Sequence, residues 1–409
     1  MKSRFDKRLI VYYLILVFIG FLSVLSTSYK QGHFSFQTSY GYQLIWIATS
    51  IILAIVICVF NNRFFWHAAP WLYTFFTIML VVVVLFGTER SGAKSWLGIG
   101  NFGIQPAEFA KYATCLFLAR RLSDMHCDLS KKKSLIPILV IIGIPIGLIL
   151  LQNDTGSALP LLFLVFALFR EGLTPWILII AVCAVVLFVL LVYLPQWIVF
   201  ALVVLLFAWM MFRLRKRKKY HLGLIIVFII VTTYIFTVDL VYNQVLKPHQ
   251  KQRIELLFGK INDTKGIGYN VNQAKIAIGS GGFFGKGFGN GTQTKLNFVP
   301  EQVTDFIFCT IGEEGGFVGT TFVIVIFVLL IGRIISIAEK SQNAFVRSYG
   351  YCIASIFFAH VAINIGMTIG LMPVIGIPLP FISYGGSSLW AFTLMLFTFV
   401  MESRNDNWD

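Results

Sequence analysis

Apolar stretches of about 17–25 residues follow one another along this 409-residue chain, separated by short polar segments. None alternates strictly between apolar and polar positions as a barrel strand does. In lipid only helices and closed barrels satisfy every backbone group, so the pattern predicts an all-α polytopic membrane protein. Helices are expected near 9–26, 42–60, 66–87, 106–121, 135–152, 157–169, 175–193, 197–212, 221–243, 305–335, 347–368 and 385–401, about twelve spans within one membrane domain covering 1–409. Segment 175–212 reads either as two spans around the "LPQW" turn at 194–197 or as a re-entrant pair. The run 305–335 is long, so part of it is expected to lie in the interface ahead of the span proper.

Charge sets the expected orientation. The first apolar run, Leu9–Leu25, follows Lys2, Arg4, Lys7 and Arg8. It is long enough to span and carries no small-residue cleavage site, so it reads as a transmembrane helix with a cytoplasmic N-terminus. Alternation from there places 27–41, 88–105, 153–156, 244–304 and 369–384 outside and both termini inside. The inside segments hold about 21 of the 33 Lys and Arg residues, including Arg120, Arg121, Lys131, Lys132, Lys133 and the run "RLRKRKK" at 213–219, which is the positive-inside bias. The chain is 57% hydrophobic with mean hydropathy +0.81 and only 12% charged, about half the charge of a soluble domain. The net charge of +15 is therefore a topological signal and not a nucleic-acid patch. The six cysteines (58, 115, 127, 183, 309 and 352) stand singly, which fits small buried residues and neither a disulfide framework nor a metal site.

Most of the Gly-rich and Pro-rich texture falls in the outside segments, which predicts an extracytoplasmic site. Segment 244–304 reads as a large loop and is basic: Lys247, Lys251, Arg253, Lys260, Lys265, Lys275, Lys286 and Lys295 face only Glu255, Asp263 and Glu301. It suits either a solvated loop held near anionic lipid headgroups or a site for a phosphate-bearing lipid. The stretch "GSGGFFGKGFGNGTQ" (279–293) favours the second reading, because glycines admit close backbone approach to a phosphate and Lys286 adds charge. Glu108, Asp154 and Asp305 stand at outer ends of predicted helices, where they are either functional or simply favoured by the helix dipole and free N–H groups. Asp305 is the strongest candidate, since it lies in "VPEQVTDFIF" between apolar residues at the expected membrane boundary, where desolvation strengthens a proton acceptor and nearby lysines oppose that effect. Glu108 and Lys111, three apart, share a helix face and can pair. Glu313 and Glu314 read as helix–helix hydrogen-bonding groups or supports.

The segments "QPAEFAK" (105–111), "QNDTGSAL" (152–159), "QAKIAIGSGGFFGKG" (273–287), "GTQTKLNFVPEQVTDFIF" (291–308) and "PVIGIPLPFISYGGSS" (373–388) resemble the SEDS family, the integral-membrane peptidoglycan glycosyltransferases RodA and FtsW. The resemblance spans nearly the whole chain except about 175–212, which looks like a helical hairpin inserted into the family's ten-helix bundle. Pro378 and Gln302 look more like the elongation (RodA) branch than the division branch.

The resemblance implies a polymerase that joins the disaccharides of lipid II into glycan strands at the outer face of the cytoplasmic membrane. Asp305 inherits the essential catalytic position, as acid/base or as ligand of a divalent cation (Mg²⁺ or Mn²⁺). Glu108 and Lys111 match the functional positions of the family's "QPSE..K" block, and Asp154 matches the Asp of "QPDLGT". Lys94, Trp96, Gln105, Asp154, Arg253, Lys275, Lys286, Glu301, Thr304, Ser383 and Ser387 are the substrate-binding candidates. The expected partners are a class B penicillin-binding protein and other membrane proteins of the elongation complex. A lipid II flippase and a non-catalytic scaffold are the competing readings. Three departures stand out: Ala107 in place of the family's serine, Asn153 and Thr155 around Asp154, and Lys94–Ser95 where "GAxRW" has arginine beside the tryptophan. Lys94 would then be a weaker, non-bidentate phosphate donor.

Overall fold

The computed structural model describes residues 5–28, 38–61, 63–90, 92–99, 102–124, 128–240, 242, 244, 248–257, 267–296 and 298–404. Lys2, Arg4, Cys127, Lys247, Lys260, Asp263 and Lys265 lie outside these residues. In chain order the elements are α1 (Lys7–Ser28), α2 (Ser39–Val59), α3 (Phe64–Phe86), β1 (Thr88–Arg90), β2 (Ala93–Ile99), β3 (Phe102–Ile104), α4 (Pro106–Leu122), α5 (Lys132–Leu151), α6 (Thr155–Leu162), α7 (Leu164–Arg170), α8 (Pro175–Tyr193), α9 (Gln196–Arg213), α10 (His221–Leu240), α11 (Pro248–Leu257), α12 (Ile267–Ser280), α13 (Thr292–Lys295), α14 (Ile307–Lys340), α15 (Ala344–Thr368) and α16 (Gly386–Glu402). They form two compact units, one of Met1–Leu173 with Tyr269–Asp409 and one of Thr174–Gly268.

Among the described residues nine helices are long and apolar enough to cross a membrane, namely α1–α3, α5, α8–α10, α14 and α15. The stretch Thr155–Arg170 and α16 are shorter apolar helices. In the larger unit α4 and α16 are the most completely buried of the long helices. α4 carries Glu108, Lys111, Arg120 and Arg121 and is buried along almost its whole length, with Glu108 and Lys111 enclosed and the two arginines half-buried at its C-terminal end. Tyr112 on α4 shares a hydrogen bond with Thr398 on α16 (3.0 Å), and Tyr349 on α15 donates to the carbonyl of Met395 (3.0 Å). These satisfy tyrosine hydroxyls inside an otherwise apolar contact.

Three arginine–carboxylate pairs close the end of this unit away from the site described below. Asp6 accepts from Arg333, Arg170 reaches Glu339, and Arg347 forks onto Glu171 at 3.1 Å for both contacts. Partial burial works against ionisation of Asp6, but Arg333 and the amides of Arg8 and Leu9 outweigh it and hold the carboxyl below its usual range.

The smaller unit is more than the hairpin expected at 175–212. The Tyr234 hydroxyl of α10 donates to the Ala184 carbonyl of α8 at 2.9 Å, and Phe207 of α9 stacks on Phe228 of α10 with centroids 4.4 Å apart. α10 therefore packs with α8 and α9. Tyr242 donates to Glu255 of α11 at 3.0 Å.

Two segments expected as loops are structured. Strands β1, β2 and β3 form an antiparallel meander in that order, with Glu89 opposite Lys94 and Leu97 opposite Ile104. Alternation over so few residues leaves no legible strand signal. The described part of 244–304 includes α11, α12 and α13.

At about 1.5 Å per residue, the 34 residues of α14 would far exceed the ~30 Å hydrocarbon core. Gly316 (φ 62°, ψ −156°) breaks the helix, leaving Ile307–Gly315 as a separate helical segment ahead of the main span. The freed backbone groups are satisfied by the glycine-rich segment. Lys286 N–H donates to Glu313 O (3.0 Å), Gly287 N–H to Glu314 O (3.0 Å), Phe317 N–H to Gly282 O (2.9 Å) and Val318 N–H to Phe283 O (3.1 Å). This approach needs glycine, because a Cβ on Gly285 would lie 2.0 Å from Glu314 O, at a φ of +79°. The close approach anticipated for a phosphate is thus made to α14.

Gly285→Val should lower the thermal midpoint of the detergent-solubilised protein by an amount equivalent to about 2 kcal/mol or more. Gly279→Ala, where a Cβ meets nothing within 4 Å, should shift it little.

Candidate functional site

The helix ends opposite the arginine pairs converge on one irregular segment, residues 369–385, between α15 and α16. Pro373, Pro378 and Pro380 deny it regular pairing, and its backbone groups are taken up by side chains and turns from several elements.

Asp305 lies in the turn before α14. The turn is closed by the amides of Thr304 and Phe306, which donate to Glu301 O at 3.2 and 3.1 Å, with Glu301 in the left-handed region at φ 55°. Thr304 also donates to the Glu301 carboxylate at 3.0 Å. Two contacts fasten the turn to 376–384: Ser383 Oγ, itself accepting from Leu379 N–H (2.8 Å), donates to Thr304 O (2.6 Å), and Tyr384 N–H donates to Val303 O (2.8 Å). The Asp305 carboxylate lies over Gly376, where a Cβ would come 3.2 Å from Oδ2.

Asp154 caps α6. It accepts from the Ser157 amide (3.0 Å), the Ser157 hydroxyl (2.9 Å) and Gln105 Nε2 (2.9 Å), while Gln105 N–H donates to Ser387 Oγ (3.2 Å). Gly156 presses on the same irregular segment; a Cβ there would lie 2.6 Å from Ile375 O. Lys94 N–H donates to Gln152 O (3.0 Å), which seats β2 beside the Asp154 turn and leaves the Lys94 side chain exposed.

One turn into α4, Lys111 is fully buried. Its ammonium meets Glu108 Oε1 at 2.8 Å and His360 Nε2 at 2.8 Å. His360 Nδ1 lies 3.1 Å from Pro378 O. A carbonyl only accepts, so the ring proton sits on Nδ1 and Nε2 receives the ammonium hydrogen. One helical turn further along α15, Asn364 Nδ2 donates to Asp305 O (2.8 Å) and Ile377 O (2.7 Å).

A family model described as "Cell cycle protein", for FtsW, RodA and SpoVE, matches residues 7–206 and 170–407. The chain belongs to this family. It is 32% identical to the peptidoglycan glycosyltransferase RodA of Treponema pallidum, over 98% of each chain. It is 35% identical to the peptidoglycan glycosyltransferase MrdB of Escherichia coli K12, over 84% of this chain and 80% of MrdB. Among solved structures, a chain of a peptidoglycan synthase complex that coordinates polymerization and crosslinking aligns over 99% of both chains with TM-score 0.72 and 23% identity. Thermus thermophilus RodA aligns with TM-score 0.64, also at 23% identity, over 99% of this chain and 98% of that one.

On this FtsW/RodA/SpoVE scaffold the candidate residues sort by position. Segment 375–378 adjoins Asp305, Asp154 by way of Gly156, and Lys111 by way of His360, so Gln105, Glu108, Lys111, Asp154, Glu301, Thr304, Asp305, Ser383 and Ser387 gather around it. Lys275 is exposed, its ammonium end against Gly370 in the same irregular region. Trp96 accepts through its carbonyl from Thr88 (3.2 Å). Lys286 is engaged elsewhere: it meets the buried carboxylate of Glu313 at 2.7 Å, and that carboxylate also accepts the amides of Thr292, Gln293 and Thr294 at 2.8–2.9 Å. Arg253 belongs to the smaller unit, on α11. Ser383 and Ser387 spend their hydroxyls on backbone atoms, so they shape the site. Sequence reasoning missed His360 and Asn364, whose signal was two polar residues four apart inside an apolar helix, "HVAIN".

Lys111→Met should cost about 3–5 kcal/mol, because it strands the buried Glu108 carboxylate. The double variant Glu108→Gln/Lys111→Met should lose less than the sum of the two single changes, and denaturation of the four proteins in detergent measures that coupling.

Proposed function

We propose that this chain polymerises lipid II into glycan strands at the outer face of the cytoplasmic membrane, as an elongation-type peptidoglycan glycosyltransferase. The observation that carries the reading is the placement of Asp305, whose partly exposed carboxylate rests on glycine backbone in a turn braced from 376–384. The relatives' activity, as glycosyltransferases, supports the reaction class. A cytoplasmic N-terminus, from the basic residues ahead of α1, supports the outward-facing site.

In this reading the acceptor's hydroxyl gives its proton to Asp305 as its oxygen bonds to the donor's anomeric carbon. The bond from that carbon to the diphosphate oxygen breaks, and the electron pair leaves with the lipid diphosphate. A single displacement inverts an α-linked donor into a β-linked product with no covalent enzyme intermediate. Of the cations expected to stabilise the diphosphate, Lys111 and Lys286 are occupied by Glu108 and Glu313. Lys275 and Lys94, both exposed in the larger unit, are better placed to meet an anionic substrate.

Among the described residues no three His, Cys, Asp or Glu side chains gather as a metal site. A divalent cation, Mg²⁺ or Mn²⁺, is proposed to be held by the Asp305 carboxylate together with the substrate's diphosphate. A class B penicillin-binding protein is the proposed partner, with the other membrane proteins of the elongation complex; the synthase complex whose chain shares this fold supports the first.

The test is incubation of the full-length protein, with that partner, with fluorescent lipid II and Mg²⁺ or Mn²⁺. A glycan ladder is expected from wild type, with at least a 100-fold loss in Asp305→Ala at equal folded concentration. A folded, partnered wild type that makes no ladder overturns the proposal and favours a flippase or scaffold. A ladder that survives in the variant moves the base to Glu108 or Asp154.

A further inference from the structure

We infer that His360 and Asn364 are positioning residues for Asp305, linking the buried Glu108–Lys111 pair to the turn that carries the proton acceptor. The inference rests on the polymerase reading of the site.

The two residues are one helical turn apart, so they share a face of α15. That face meets consecutive carbonyls of the irregular segment: Asn364 donates to Ile377 O and His360 to Pro378 O. Asn364 spends its second amide hydrogen on the carbonyl of Asp305 itself. Both Nδ2 hydrogens are therefore committed, and they tie the Asp305 turn to residue 377 at a fixed separation. The neighbouring Gly376, at φ +76°, is the surface on which the Asp305 carboxylate rests. A displacement of 376–378 moves that surface and the main chain of Asp305 together.

His360 supplies the second tie and connects it to charge. It is fully buried, with its ring edge-on to Phe392 at 4.8 Å. Its Nδ1–H serves Pro378, and its unprotonated Nε2 accepts from the Lys111 ammonium. Lys111 is in turn held by Glu108. The order Glu108, Lys111, His360, Pro378 is therefore one directed chain of hydrogen bonds, and it holds only with a neutral, Nδ1-protonated imidazole. Loss of the imidazole leaves the fully buried Lys111 with Glu108 as its hydrogen-bond partner and takes the His360 donor from the half-buried Pro378 carbonyl. Neither His360 nor Asn364 is assigned contact with substrate. They act through the backbone, and angstrom-scale misplacement of a reacting group is costly in rate.

The experiment compares wild type, His360→Ala, His360→Asn and Asn364→Ala as full-length proteins bound to the partner transpeptidase. It measures steady-state glycan synthesis from lipid II and hydrogen–deuterium exchange of the same samples. His360→Ala and Asn364→Ala should lose roughly 10–100-fold in kcat with KM changed less than about threefold. His360→Asn keeps a donor near the Nδ1 position and should recover part of the loss. If His360→Ala does not fold, His360→Asn and Asn364→Ala decide alone.

Amides of 301–306 and 379–384 should exchange faster in the variants, while those around Arg333 and Arg347 stay protected. Unchanged kcat, or exchange that rises equally along all of α15, overturns the inference and leaves a purely structural role. If wild type makes no glycan the polymerase reading fails by itself, and localised exchange still decides whether the two residues hold the Asp305 turn.

Discussion

Irregular backbone inside an apolar protein has to find a partner for each N–H and C=O, and this requirement organises the site. Segment 369–385 cannot form a helix through its prolines, yet it lies among buried helices. Its carbonyls at 377 and 378 are met by α15, and its Leu379 amide by Ser383. Each of these groups also touches a candidate residue or its neighbour. The packing demand and the placement of Asp305 are thus one problem with one solution.

The buried ion pair follows from the same demand. An ammonium at 0% exposure is tolerable only with its charge opposed and hydrogen-bond acceptors beside it. Glu108 opposes the charge, and His360 fills a second donor while passing the geometry on to Pro378. At the far end, the pairs formed by Arg333, Arg170 and Arg347 are partly exposed and need no such precision. They fasten helix ends, and the energetic stakes lie at the site.

The glycine-rich segment shows how one composition admits two physical uses. Glycines let a backbone approach closely, but composition does not name what is approached. Here it is the broken turn of α14 at Gly316, with Lys286 clasped by Glu313 beside it. The break lets an over-long apolar helix begin as a separate segment and puts Asp305 at its start.

Sequence by itself determined the class of fold, most spans and the family, because hydropathic period, charge bias and contiguous motifs are local along the chain. The pairing of Glu108 with Lys111 was also legible, being three apart on one helix. The rest needed tertiary structure. The strands at 88–104 are too short to show a period, and the extent of the smaller unit depends on α10 packing with α8 and α9. Lys286 and Lys275 look alike in a basic segment, yet one is neutralised by a buried carboxylate and the other is exposed. His360 and Asn364 were readable only as polar residues in an apolar helix. What they do depends on which carbonyls lie opposite, and contacts between residues 59 positions apart, such as Asn364 with Asp305, are settled by packing and not by spacing.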